Sequence, residues 1–199
     1  MTLPLVAVVL FLQCKGLFPG PLIREPGYGL APPPGPNKAA CGVRYWLPPN
    51  WSVNVDESDG ECTVGLVAPD WQADEAEADY TIWFRVSKRI GATPWRSDDP
   101  GASLPGFAYE DGRWYAASSV RSVPAVKIEG PNWVGLAGDI AYRSHKPEGG
   151  YQGVGEGRIA AVIGPDGVLL QAESHGVWSQ TTFSEVLCSL EFQGAARGM

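Results

Sequence analysis

Proline and glycine break this chain more than any other feature does. They number 18 and 25 among 199 residues. Proline fixes φ and removes a backbone donor, and glycine weakens helix interiors, so long helices are excluded over most of the length. With eight Trp and many Val residues between the breaks, the pattern predicts short strands joined by turns. The expected fold class is α+β: an antiparallel β-sheet rich in hairpins, packed against a C-terminal helix. An apolar content of 44% over this length suffices for one well-buried core.

Four segments follow from composition. Residues 1–15 read as a signal segment, because Leu3 to Leu12 is apolar and too short to span a bilayer. No Lys or Arg precedes it and no small-x-small cleavage site follows. Residues 16–40 read as a linker, with Pro19, Pro21, Pro26, Pro32, Pro33, Pro34 and Pro36 interleaved with glycine. Residues 41–193 form the expected domain, and residues 194–199 a tail. No later stretch reads as a membrane span. The expected localisation is export, to a periplasm or the outside.

Within the domain, Gly42–Leu47 and Trp51–Val55 read as one strand broken by Pro48-Pro49. Asp56–Gly60 reads as turn, Cys62–Val67 as the returning strand, and Tyr80–Ser87 as a strand with Ile82, Phe84 and Val86 on one face. Phe107–Ser118 predicts a hairpin, because Asp111-Gly112 suits the positive φ angles of a primed turn. Trp133–Arg143 is the longest strand expected. Ile159–Ser174 predicts another hairpin, turned at Gly164-Pro165-Asp166-Gly167, with Val168, Leu170 and Ala172 inward and Gln171 and Glu173 outward. The glycine run Gly149–Gly157 reads as loop or bulge, since it lacks the lysine and following helix of a phosphate-binding loop. At the end, Thr182 and Glu185 match a capping box, and Phe183, Val186, Leu187 and Leu190 form one apolar helical stripe.

Four cysteines without C-x-x-C spacing and only two histidines speak against a structural zinc site. Cys41 and Cys62 are the candidate disulfide, flanking the first hairpin. Cys188 reads as a small buried hydrophobe, and Cys14 as part of the signal or of a lipid anchor.

The segments "YWLPPNWSV" (Tyr45–Val53) and "TFSEVLCSLEF" (Thr182–Phe192), with antiparallel strands between them, resemble the PsbP-like superfamily. That superfamily includes extrinsic proteins of photosystem II and a Ran-binding import factor. The resemblance covers about a fifth of the chain. It implies a sheet between helices and non-enzymatic protein binding. It transfers no functional residues, because the superfamily is united by fold and its members serve unrelated partners.

Net charge is −7, which disfavours nucleic acid and anionic lipid as partners. The negative charge is concentrated. Between Val53 and Tyr80 there are nine carboxylates and no Lys or Arg. Among them, Asp74, Glu75, Glu77 and Asp79, with Trp71 beside them and Trp95 further on, are the candidate binding residues for a basic protein partner. "DESDGE" (Asp56–Glu61) offers oxygen donors but not the spacing of a calcium loop. No cofactor is expected. The expected function is an exported, non-enzymatic binding or accessory protein. One alternative is an inhibitor or immunity-type protein for a basic partner. Another is a small hydrolase using Ser174 or His175, although neighbours on a strand point to opposite faces.

Overall fold

The computed structural model describes residues 35–58, 60–69, 81–88, 104–117, 122–145, 151–175 and 179–193. Residues 1–34, and with them the expected signal segment, lie outside the described residues, as do Trp71, Asp74, Glu75, Glu77, Asp79, Trp95 and the tail from 194. The fold is α+β, dominated by antiparallel sheet. Among the described residues, thirteen strands run in chain order: β1 (Lys38–Ala40), β2 (Val43–Tyr45), β3 (Ser52–Ser58), β4 (Glu61–Val67), β5 (Thr81–Lys88), β6 (Phe107–Glu110), β7 (Arg113–Ala116), β8 (Val123–Pro124), β9 (Val126–Gly130), β10 (Trp133–His145), β11 (Tyr151–Ile163), β12 (Val168–His175) and β13 (Glu191–Phe192). The helix α1 (Ser179–Cys188) lies between β12 and β13.

The main sheet has seven strands in the order β3-β4-β5-β12-β11-β10-β9. It is two meanders, β3-β4-β5 and β9-β10-β11-β12, joined where β5 pairs antiparallel with β12. Alternation along each strand gives the sheet two apolar faces, and both are covered. On one face, α1 and the small sheet β1-β2-β13 pack over Leu66, Ile82, Phe84, Ala160, Val162 and Leu170, bringing Val43, Tyr45, Phe183, Val186, Leu187, Leu190 and Phe192. Tyr45 meets Phe84 edge-on at 5.0 Å between ring centroids. On the other face, the sheet β6-β7-β8 sets Phe107, Trp114 and Ala116 against Leu136, Ile140, Ile159, Ala161 and Leu169. The β6–β7 turn has φ of 48° at Asp111 and 78° at Gly112, the primed geometry expected from that dipeptide.

The end of the helix is fastened by hydrogen bonds. The Trp133 indole Nε1 donates to the Leu190 carbonyl at 2.8 Å. Asn132 Nδ2 donates to the Phe192 carbonyl at 2.7 Å, and the Phe192 amide donates back to Asn132 Oδ1. The Trp46 amide donates to Ser189 Oγ at 2.7 Å, and that hydroxyl donates to the Val186 carbonyl.

Several sequence expectations are corrected. The region around Pro48-Pro49 is not one interrupted strand: β2 belongs to the small sheet, and β3 begins a different one. Strand β1, at Lys38–Ala40, lies within the stretch expected as linker, and Asn37 is hydrogen-bonded to Leu47 through its side chain in both directions. The turn expected over Asp56–Gly60 is shorter, because β3 continues to Ser58. From Tyr151 on, the glycine run is strand rather than loop, part of β11, with a register shift against β10 where Ser144 pairs with Gly153 and His145 with Tyr151. At Gly157, an added Cβ would lie 2.1 Å from the Ser174 carbonyl oxygen, so glycine there permits close approach to β12 rather than a loop. The helix starts at Ser179, so Thr182 lies inside it and is not the cap. Phe183, Val186 and Leu187 of its apolar stripe are buried as expected, and Leu190, also buried, follows the helix end at Cys188.

Candidate functional site: the acidic edge of the main sheet

The site begins with a two-residue turn. Cys41 and Gly42 link β1 to β2 with φ of 56° and 71°. Both left-handed positions are required for so tight a hairpin, and only Gly42 adopts its conformation without steric cost. The tip carries the Cys41 sulfur to Cys62 on β4. The two are disulfide-bonded, with their Cα atoms 5.5 Å apart. The pairing expected from sequence is therefore present. It ties the small sheet to the main one. Cys188 is disulfide-bonded too, which corrects its reading as a free buried hydrophobe.

Beside the disulfide lies the edge of the main sheet. β3 ends the strand order, and six of its seven residues are exposed. Register places Glu57 opposite Cys62 and Ser58 opposite Glu61. An open groove of about 560 Å³ lies here, lined among others by Cys41, Glu57, Gly60, Glu61, Cys62 and Val168. Glu61 has a cationic neighbour, Arg85 Nε at 3.5 Å, but both side chains are about half exposed. Exposed pairs of this kind contribute at most about 1 kcal/mol. Asp56 and Glu57 are both exposed on β3. Among the described residues, no group of His, Cys, Asp or Glu side chains is arranged to hold a metal ion. No helix among them is long and apolar enough to cross a membrane.

Val55 is 48% exposed, the one exposed large hydrophobic side chain among the described residues. It sits on the same strand as Asp56 and Glu57 and opposite buried Val64. Sequence reasoning treated this segment as solvated hairpin and placed the binding residues further on, at 71–79 and 95. The signal that would have found it is the nine-carboxylate stretch read from its first member, Asp56, with the apolar Val55 directly before it.

The hydrolase residues are not brought together. Ser174 is fully buried, and its hydroxyl has no hydrogen-bond partner among the described residues. His175 lies on the opposite face of β12, where its Nε2 pairs with Glu173 Oε1. Sequence reasoning missed a different polar group. Arg158, 4% exposed, pairs Nε with Asp139 Oδ1 at 3.0 Å and donates from Nη1 to Ser184 Oγ at 2.6 Å. This places a buried guanidinium between β10, β11 and α1, where it bridges sheet to helix and rules out a simple apolar seam.

No family model matches this chain, and no curated protein or solved structure was found to be similar to it.

Proposed function

We propose that this chain is an exported, non-enzymatic binding or accessory protein that docks a basic protein partner through its acidic segment. The observation that carries the reading is the edge itself. Asp56 and Glu57 on the exposed strand β3, and exposed Glu61 at the start of β4, lie near the beginning of a stretch from Val53 to Tyr80 that has no Lys or Arg. A field of one sign, set on a rigid strand, steers an oppositely charged protein and speeds encounter. The carboxylates at Asp74, Glu75, Glu77 and Asp79, with Trp71 and Trp95, extend the same reading. Disulfide bonding at Cys41, Cys62 and Cys188 supports export, because such bonds persist in oxidising compartments. An inhibitor or immunity-type role is the same docking applied to a basic toxin or enzyme.

The test is crosslinking in the native host to capture the partner, followed by association kinetics. Replacing Asp56, Glu57 and Glu61 by Asn, Gln and Gln should slow association and flatten its salt dependence, since screening acts over about 8 Å at physiological ionic strength. An unchanged rate in this variant and in the equivalent one at 74–79 refutes the reading.

A further inference from the structure

A strand at the edge of a sheet presents unpaired amides and carbonyls along its outer side, and chains that must not pair there usually shield it with proline, a bulge, charged side chains or a short strand. The two edges of the main sheet differ in this respect. β9 is five residues long and is bracketed by Pro124 and Pro131. β3 is seven residues long, its pairing with β4 is regular from Ser52 to Ser58, and it contains no proline. Among the described residues no strand pairs with its outer side. Its middle residue Val55 is left half exposed where a neighbouring strand would cover it.

We propose that the outer edge of β3 takes up an extended, basic segment of a partner protein as an additional strand of the main sheet. The proposal rests on the docking reading above and supplies its mode. Backbone pairing gives affinity in such complexes, and alternate side chains give selectivity. Side chains along β3 alternate between the two faces of the sheet, so Asp56 and Glu57 point to opposite sides. An added strand that alternates basic and apolar residues sets its basic side chains on the face of Asp56 and its apolar ones on the face of Val55. An apolar residue beside Val55 covers the exposed side chain. Charge also decides between occupants. A second copy of this chain pairing edge to edge would bring Asp56 and Glu57 of both copies to one seam, and like charges directly across a strand pair are destabilising. A basic segment gains what a second copy loses.

The experiment uses the full oxidised chain and a fluorescent seven-residue peptide of alternating lysine and valine, read by anisotropy at low salt. Two further versions carry N-methyl groups on alternate amides, one set along each edge of the peptide, with charge unchanged. A fourth replaces lysine by glutamine. Strand addition requires the unmodified peptide to bind. Methylating one edge should weaken binding by at least about tenfold, while methylating the other should leave it nearly unchanged. Hydrogen exchange should slow at alternate amides within 52–58 of the protein. Equal binding by both methylated peptides overturns strand addition and leaves electrostatic docking standing. Equal binding by the glutamine peptide overturns the basic partner. Absence of binding by the unmodified lysine peptide, or self-association of the protein through this edge in its place, overturns the proposal.

Discussion

Removing the Cys41–Cys62 disulfide should cost about 3 kcal/mol of folding stability, and the identity of the residue left at position 41 should shift that cost predictably. The bridge closes a loop with a sequence separation of 21. In the chain-entropy model a loop of that size removes roughly 11 cal/mol/K from the unfolded chain, or about 3 kcal/mol at 25 °C. Position 41 adds a second effect. Its φ of 56° belongs to the left-handed region, where a side chain with a Cβ costs roughly 1–2 kcal/mol. Glycine avoids that cost but loses roughly 0.4–1 kcal/mol through its freer unfolded chain. The double variant Cys41→Gly with Cys62→Ala should therefore be more stable than Cys41→Ala with Cys62→Ala by about 0.5–1 kcal/mol. Equilibrium urea unfolding of both, beside the native chain and without reductant so that the Cys188 disulfide stays intact, measures each difference. With a slope of about 2 kcal/mol/M, the alanine pair should unfold about 1.5 M earlier than the native chain. If the alanine pair unfolds within a few tenths of a molar of the native chain, the bridge is not constraining the unfolded state. If the alanine pair is the more stable of the two variants, the turn geometry at Cys41 is wrong.

Three further outcomes are open to the same measurement. Leu187 is 2% exposed between helix and sheet, so Leu187→Ala forfeits about 2.4 kcal/mol of transfer energy for three carbons, and the cavity left behind brings the total to roughly 2–5 kcal/mol; a neutral result would place α1 elsewhere. Ser174 holds a buried hydroxyl with no partner among the described residues, so Ser174→Ala should be neutral or stabilising by up to about 1 kcal/mol, and a clear loss in urea unfolding would reveal a bond to that hydroxyl. Burial raises the carboxyl pKa of Glu185 above its ordinary 4.5. The native state then holds this proton more tightly than the unfolded state does, so the group's contribution is intact at low pH and is lost as pH climbs from 4.5 through the raised native value. Glu185→Gln should remove that fall in urea midpoints as pH rises above 4.5, and an unaltered pH profile would show the carboxyl to be solvated.

Local rules read well where one interaction decides. Asp111-Gly112 predicts its turn because few dipeptides tolerate two positive φ angles in sequence. The stripe Phe183, Val186, Leu187, Leu190 reads as helix because that period fits nothing else. Where tertiary contact decides, local signals mislead. Thr182 and Glu185 have the spacing of a cap, yet the helix runs three residues further back, so the match is coincidental. Gly149–Gly157 looks like loop by propensity, but from Tyr151 on β10 supplies a paired neighbour, β12 joins at Gly157, and close backbone approach there needs the missing Cβ. The division of Gly42–Val55 between two sheets could not be read at all, because it depends on β13 at the far end of the chain pairing with β2. Arg158 was invisible for the same reason: its partners Asp139 and Ser184 come from two other elements.

The same nonlocal architecture explains how the acidic edge can be rigid. An edge strand of a lone hairpin would fray, and ordering it on binding would subtract from affinity. β3 is held on its inner side by β4 along all seven of its residues. β4 is held in turn by β5 through Phe84 and Ile82, which lie in the main core. At the acidic end, where Glu61 and Cys62 already pair with Ser87 and Val86 of β5, Cys62 is also bonded to the tip of the β1–β2 hairpin. That hairpin is anchored by β13, whose Phe192 and Glu191 pair with Val43 and Arg44. The disulfide thus braces the two-residue end of the edge hairpin against the C-terminal end of the chain. The carboxylates at Glu57 and Glu61 sit beside the brace. An edge so held has its outer amides and carbonyls ordered before any partner arrives, and the entropy of straightening it does not fall on binding.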